Sequence, residues 1–179
     1  MSTHVRPVAT IEQGRYNVTL LPCPVDSLFD DADALLTPIA EAKQIALCFT
    51  PVEGLVAHAD QKRLYQVIAN LVVNAVKFTP EGGRVDVAAE LDSQSSGRLV
   101  RFSVTDNGAG MSEDHLSHIF ERYWRVREAN PKGTGLGLYI ARGVVEAHGG
   151  TIWAESELGR GTTMYFTLPH ADSLINAQG

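Results

Sequence analysis

The sequence predicts an α+β sandwich, and three observations carry that reading. Strand-like and helix-like stretches follow one another without regular β-α-β alternation, the order of an α+β fold and not of a parallel α/β one. The chain has 179 residues, 44% of them hydrophobic and 20% charged. That is the length of one domain, and a chain of this size buries roughly 70% of its unfolded surface. Repeats and low-complexity tracts are absent.

Composition also excludes several classes. The apolar content rules out a disordered chain, and a net charge of −6 is not that of a nucleic-acid binder. Cys23 and Cys48 are the two cysteines, too few for a disulfide framework and read as a pair of buried thiols in a reducing cytoplasm. No apolar run approaches the ~20 residues of a membrane span, and the N-terminus has no signal-peptide pattern. A soluble cytoplasmic domain without membrane contact is expected.

Residues 1–14 end in Gln13-Gly14 and read as a linker. Arg15 to Leu21 alternates loosely and predicts a first strand, closed by Pro22 and Pro24. Asp26 offers an N-cap for a helix whose apolar face is Leu28, Phe29, Ala32, Leu35, Leu36 and Ile39, with Pro38 expected to kink or break it. Ile45 to Thr50 and Leu55 to His58, separated by Pro51 and Gly54, predict a hairpin. Asp60 opens a helix to about Phe78, stopped by Thr79-Pro80-Glu81-Gly82-Gly83. At 100° per residue its Leu64, Val67, Ile68, Leu71, Val72 and Ala75 share one apolar arc. Arg84 to Leu91 and Leu99 to Thr105 predict two strands joined by a polar turn. After a glycine-rich stretch over 106–134, a helix is expected from Gly135 to His148, ended by Gly149-Gly150. Thr151 to Glu155 and Thr162 to Leu168 predict a closing hairpin, and 170–179 a tail.

Three groups of residues could carry chemistry. Asn70, Asn74 and Lys77 fall within about 60° of one another beside the apolar arc. Two amides and an ammonium there could hold a hard cation and contact phosphate oxygens. A solvated polar face is the bland alternative, although two mid-helix asparagines cost helix propensity. Asp106-Asn107-Gly108-Ala109-Gly110 follows a strand directly, so a carboxylate could meet a ligand's amine while the glycines let backbone approach closely; alone it also fits an ordinary turn. Gly133-Thr134-Gly135-Leu136-Gly137-Leu138 leads into a helix, where unpaired N–H groups and the helix dipole favour an anion. It is not a Walker A loop, which needs Gly-Lys-Ser/Thr, nor a Rossmann turn, which needs glycine where Leu138 stands. His-Arg-Asp and Asp-Phe-Gly of eukaryotic-type kinases are absent.

The order of these groups is more telling than any one of them. Asn70-x-x-x-Asn74-Ala-x-Lys77, Asp106-x-Gly108-x-Gly110, Ile119-Phe120-Glu121-Arg122-Tyr123-Trp124-Arg125, Gly133 to Leu138, and Gly159-Arg160-Gly161-Thr162 follow in sequence. In that order they resemble the N, G1, F, G2 and G3 boxes of the ATP-binding catalytic domain of sensor histidine kinases. The resemblance spans residues 15–169 and includes Asp60 to Leu64 and Glu146 to Gly150.

The resemblance implies a Bergerat fold, a mixed sheet layered on three main helices with an ATP lid, and ATP with Mg²⁺ as cofactors. It implies Asn74 as the Mg²⁺ ligand with Asn70 assisting, and Lys77 as the neutraliser of phosphate. Asp106 would accept from adenine N6, with Thr162 supporting through a water. Gly108 and Gly110 would shape the adenine end, Phe78 would flank the base, and Gly133 to Leu138 would hold the triphosphate. Arg125, in the lid over Met111 to Lys132, would clamp the γ-phosphate. Phe120, Tyr123 and Trp124 read either as lid anchors or as core residues. The lid carries Arg122, Arg125, Arg127 and Lys132 against Glu113, Asp114, Glu121 and Glu128, a balance of zero.

Related ATPase branches of the gyrase, mismatch-repair and heat-shock-chaperone types place a general-base glutamate where Asn70 stands. An amide cannot take a proton from water near neutral pH, so slow hydrolysis is expected. None of His4, His58, His115, His118, His148 and His170 is followed by an acidic residue on a long helix upstream of the first strand, as the family's phosphoacceptor is. The acceptor histidine is therefore expected on a separate dimerisation domain, with 1–14 as the exit from its helix, a response regulator as indirect partner, and the isolated domain a monomer. An anti-sigma-factor-like serine kinase and a nucleotide-sensing module without transfer are the alternatives.

Overall fold

A computed structural model describes residues 3–5, 16–50, 53–95, 98–124 and 134–172. The strands are β1 (Thr3–Val5), β2 (Leu21–Pro24), β3 (Ala46–Phe49), β4 (Val56–Ala59), β5 (Arg84–Leu91), β6 (Leu99–Asp106), β7 (Thr151–Glu157) and β8 (Gly161–Pro169). The helices are α1 (Val25–Glu41), α2 (Gln61–Phe78), α3 (Glu113–His118) and α4 (Gly137–Ala147). Six strands form one sheet in the order β1-β7-β8-β6-β5-β3, and β2 pairs with β4 in a separate ribbon. The large sheet is mixed, because β3 joins β5 in parallel while its other pairings are antiparallel.

Alternation along the strands makes the sheet one-sided. Val85 and Val87 on β5, Val100, Phe102 and Val104 on β6, Ile152 and Ala154 on β7, and Met164, Phe166 and Leu168 on β8 are buried. Phe102 and Phe166 stack at 4.6 Å between centroids, and Phe29 of α1 meets Phe102 edge-on at 6.4 Å. On the opposite face Arg101 pairs with Glu90, Arg84 with Asp86, and Trp153 stacks on Tyr165 at 5.2 Å. One apolar face covered by the long helices and one polar face make the expected two-layer sandwich.

α2 forms where its pattern predicts. Asp60 caps it by accepting from the Arg63 N–H at 3.2 Å, and all six residues of the predicted arc are buried. The Asp60 carboxylate also accepts from the Thr19 N–H at 3.0 Å, and these backbone bonds, Thr19 first, hold it below the usual aspartate range. His148 joins the far end of α4 to the same point: its Nε2 accepts from the Asp60 N–H at 3.0 Å while Nδ1 donates to the Val144 carbonyl at 2.7 Å.

Several expectations need correction. The first strand of the ribbon lies on Leu21–Pro24, and Tyr16 to Leu20 precede it as irregular chain. Both prolines fit because β2 has one partner only, and residues two apart turn their missing N–H the same way. α1 runs through Pro38 to Glu41; a proline this close to the end interrupts little of the ladder. Residues 45–58 are no hairpin: β3 goes to the large sheet beside β5, β4 to the ribbon beside β2. Within the stretch read as linker, Thr3–Val5 pairs antiparallel with Ala154–Ser156. Cys23 is buried, but Cys48 is only half-buried.

Candidate nucleotide site

The site begins where α2 meets the start of α4. The Asn70 amide Nδ2 donates to the Gly137 carbonyl at 3.1 Å, so this side chain pins the N-terminal turn of α4 to the middle of α2. Leu136 occupies the cap position of α4 without a side-chain cap bond, which leaves the first turn to face a ligand with backbone N–H groups. Thr134 is exposed beside it, and Gly135, Leu136 and Leu138 are half-buried, Leu138 packing against the core. Because Nδ2 is committed to Gly137, the Asn70 Oδ1 is the atom left for a further contact.

One and two turns on, Asn74 and Lys77 lie half-buried on the same face. Lys77 Nζ stands 5.1 Å from the centre of the Phe78 ring, itself 39% exposed. The end of α2 is held by a residue that motif reading did not flag. Lys43 Nζ donates to the carbonyls of Val76, Lys77 and Thr79 at 2.8, 2.8 and 2.6 Å. Val76 and Lys77 offer orphan carbonyls of the last turn and Thr79 is the residue that follows it, and a cation there also meets the negative end of the helix dipole. A lysine 33 to 36 residues upstream leaves no local signal of such a role.

Phe78 connects this helix to the Asp106 turn. A Cβ on Gly108 would lie 2.6 Å from the Phe78 carbonyl oxygen, so the backbones touch there with no room for a side chain. Gly110 has φ +69°, and a Cβ on it would sit 2.1 Å from the Glu157 carbonyl, so only glycine is accommodated. Asp106 is the last inward-facing position of β6 and is 8% exposed. Its Oδ1 accepts from the Gly108 N–H at 2.9 Å, and Thr162 contributes a second backbone bond. Burial outweighs these bonds and raises its carboxyl above the usual aspartate range.

Asp106 does not stand alone. Thr162 is its cross-strand partner on β8, and Ser156 is the partner of Thr162 on β7. All three are buried, at 8%, 7% and 6% exposure, in inward positions that are otherwise apolar along these strands. The Ser156 Oγ lies 2.9 Å from Thr162 Oγ1, 2.9 Å from the Gly161 carbonyl and 2.8 Å from the Met111 N–H. Sequence reading missed Ser156, although the alternation Ile152, Ala154, Ser156 points it inward.

The predicted residues thus form a continuous line: Gly137 against Asn70, Asn70 to Phe78 along α2, Phe78 against Gly108, Gly108 on Asp106, and Asp106 beside Thr162. From Asn70 to Phe78 the helix rises about 12 Å. Arg125 and Gly133 lie outside the described residues. Of the aromatic trio, Phe120 is buried in the core, Trp124 packs at its margin and Tyr123 is 58% exposed. The Tyr123 N–H donates to the Gly135 carbonyl at 3.0 Å, which joins the α3 side of the chain to the stretch that leads into α4. Among the described residues no helix is long and apolar enough to cross a membrane.

Residues 59–172 match the family model described as histidine kinase-, DNA gyrase B- and HSP90-like ATPase. The chain is 41% identical over 125 residues to the sensor histidine kinase WalK of Bacillus subtilis (strain 168), covering 68% of this chain and 20% of that protein. It therefore spans about a fifth of the length of that relative. Among solved structures, full-length ShkA in complex with AMPPNP superposes with a TM-score of 0.74 at 34% identity, covering 88% of this chain and 32% of that one. The catalytic domain of histidine kinase ThkA gives 0.73 at 30% identity over 84% of this chain and 95% of that domain; ThkA has also been solved in complex with the response regulator TrrA. By its fold, its motif order and these matches, the chain belongs to the histidine kinase-, DNA gyrase B- and HSP90-like ATPase family and, within it, to the catalytic domains of sensor histidine kinases.

Proposed function

We propose that this domain binds ATP with Mg²⁺ and donates the γ-phosphoryl group to a histidine on a separate dimerisation domain, as the first step of two-component signalling. The observation that carries the reading is Asn70. The α2 position nearest the start of α4 holds an amide hydrogen-bonded to backbone, where a hydrolysing enzyme of this fold needs a carboxylate base. Water is left without a base on this helix face, and the γ-phosphoryl is preserved for a protein acceptor. In the transfer, an imidazole nitrogen of the acceptor attacks the γ-phosphorus, the bond to the β–γ bridging oxygen breaks, and ADP leaves with that oxygen.

The line of residues fits a nucleoside triphosphate laid along α2. Asp106 receives the adenine 6-amino group, with Thr162 beside it through a water, and Phe78, Gly108 and Gly110 bound the base. The first turn of α4, with Gly133 to Leu138, takes the phosphates on backbone N–H groups. Lys77 and Arg125 offset their charge. The donor set suits Mg²⁺: Asn74 and the free Oδ1 of Asn70 are hard oxygen donors, and this ion uses few protein ligands when phosphates supply the rest. Bound there, it offsets charge on the phosphate oxygens. Residues 15–169, with β1 on the edge of their sheet, form the catalytic domain, monomeric in isolation, and a response regulator takes the phosphoryl group from the acceptor.

The test mixes the protein with a dimerising histidine domain, γ-labelled ATP and Mg²⁺. Acid-labile label on the acceptor is expected, with slow phosphate release in its absence. Acid-stable label would mark a serine kinase, no label a sensing module, and gyrase-like turnover by the protein alone would remove the argument from Asn70.

A further inference from the structure

The Ser156 hydroxyl has one proton and three polar neighbours. The Gly161 carbonyl can only accept, and the Met111 N–H can only donate. The proton of Ser156 must therefore go to Gly161, since otherwise two oxygens would face each other at 2.9 Å with no hydrogen between them. The remaining contact, 2.9 Å from Ser156 Oγ to Thr162 Oγ1, is then a bond donated by Thr162. Its proton used, Thr162 offers only lone pairs to anything beyond. Its neighbour across the sheet, Asp106, is an acceptor when ionised. This whole corner of the site, three strands wide and buried, presents acceptors.

We propose that Ser156 fixes the hydrogen-bond polarity of the base end of the site, so that it takes a purine with an exocyclic amine and rejects one with an exocyclic oxo group. The inference rests on the adenine reading of Asp106 given above. Ser156 touches no nucleotide atom; it is a positioning residue that acts through Thr162. Without it the Thr162 hydroxyl can rotate and donate to the water between it and the base, which frees both of that water's own protons for a 6-oxo group. With Thr162 only accepting, one water proton is drawn to Thr162 and the oxo group meets the Asp106 carboxylate, the kind of mismatch by which buried polar sites discriminate most strongly.

Equilibrium displacement of a fluorescent nucleotide by ATP and by inosine triphosphate tests this on the full chain. The wild-type protein is expected to prefer ATP, and Ser156→Ala to lower the ratio of the two affinities by roughly tenfold, chiefly through tighter inosine triphosphate binding. Ser156→Cys, close in volume and a weak donor, is expected to move the ratio the same way and serves if the alanine variant does not fold. In a Thr162→Val background there is no hydroxyl to reorient, so adding Ser156→Ala should leave the ratio where it stands. Equal losses for both nucleotides, in both backgrounds, would mean that Ser156 merely braces Met111 and Gly161, and would overturn the proposal. Asp106→Ala separates this from the underlying reading. Lost ATP binding with an unmoved Ser156 ratio removes the Ser156 role alone, whereas intact ATP binding removes the adenine reading and this inference with it.

Discussion

At the scale of single residues, the site places one buried carboxylate where folding would rather have none. Burial raises the Asp106 carboxyl above its unfolded value, so its ionised form destabilises the fold. That cost is absent below the unfolded pKa, grows as pH rises toward the folded one, and is complete above it. Asp106→Asn keeps an acceptor for the Gly108 N–H and removes the charge. It is expected to raise Tm at neutral pH, by about 2–4 °C per kcal/mol recovered, with the gain vanishing in acid, and to abolish ATP binding; calorimetric melts across pH read the first and titration the second. For the wild type, ATP affinity should decline as pH falls through the raised Asp106 value. Asn74→Ala is expected to weaken Mg-ATP far more than metal-free ATP by isothermal titration, and equal losses would remove Asn74 as a metal ligand.

At the scale of elements, α2 serves two ends of the site and is held at both. Lys43→Met strips three carbonyls of their shared donor. It should cost about 2 kcal/mol in urea unfolding and weaken ATP binding through Lys77 and Phe78, with Lys43→Arg recovering part of each. α3 carries a titratable contact. His118 Nδ1 lies 2.7 Å from Glu121 Oε1, and its ring sits 4.8 Å from that of Trp124, with Asp114 adding charge nearby and the His115 ring 6.3 Å from the same indole. The Glu121 bond raises the His118 pKa, so its contribution is full below the unfolded value and is lost as pH rises through the folded one. In a Trp153→Phe background, Trp124 emission should change with a midpoint above 6.5, and His118→Gln should remove the step.

Sequence reading reached elements with a long pattern and missed those without one. Eighteen residues of α2 and the alternating runs of β5, β6 and β8 fix their own identity and inward face. Four-residue β3 and β4 do not: an apolar run that short says nothing of its partner, so adjacent runs read as a hairpin although they enter different sheets. The same contrast holds in the site. Asp106, Asn70 and Gly108 sit in motifs whose neighbours in sequence are also neighbours in space. Lys43 and Ser156 act on residues that only the tertiary fold brings to them, and a lone lysine or serine has no spacing to betray it.

At the scale of the whole molecule, the proposed nucleotide site draws on α2, the start of α4 and the ends of β6 and β8. A ligand bound only by the assembled form stabilises it by about 2.7 kcal/mol at a hundredfold excess over Kd. Tm should therefore climb with ATP concentration, and an inosine triphosphate series should lag behind it.

The sheet order has one more consequence, in time and not in space. Among the described residues β8 is the last strand, and it stands between β7 and β6, bonded to both. Until it inserts, Asp106 has no Thr162 beside it, Ser156 lacks both Thr162 and the Gly161 carbonyl, and the sheet is two unjoined pieces. Contacts this distant in sequence form late. A nascent chain halted before residue 161 should thus bind no ATP, however long it waits on the ribosome, and one extended past residue 169 and clear of the exit tunnel should bind it. The ability to hold nucleotide is the last property this domain acquires as it is made.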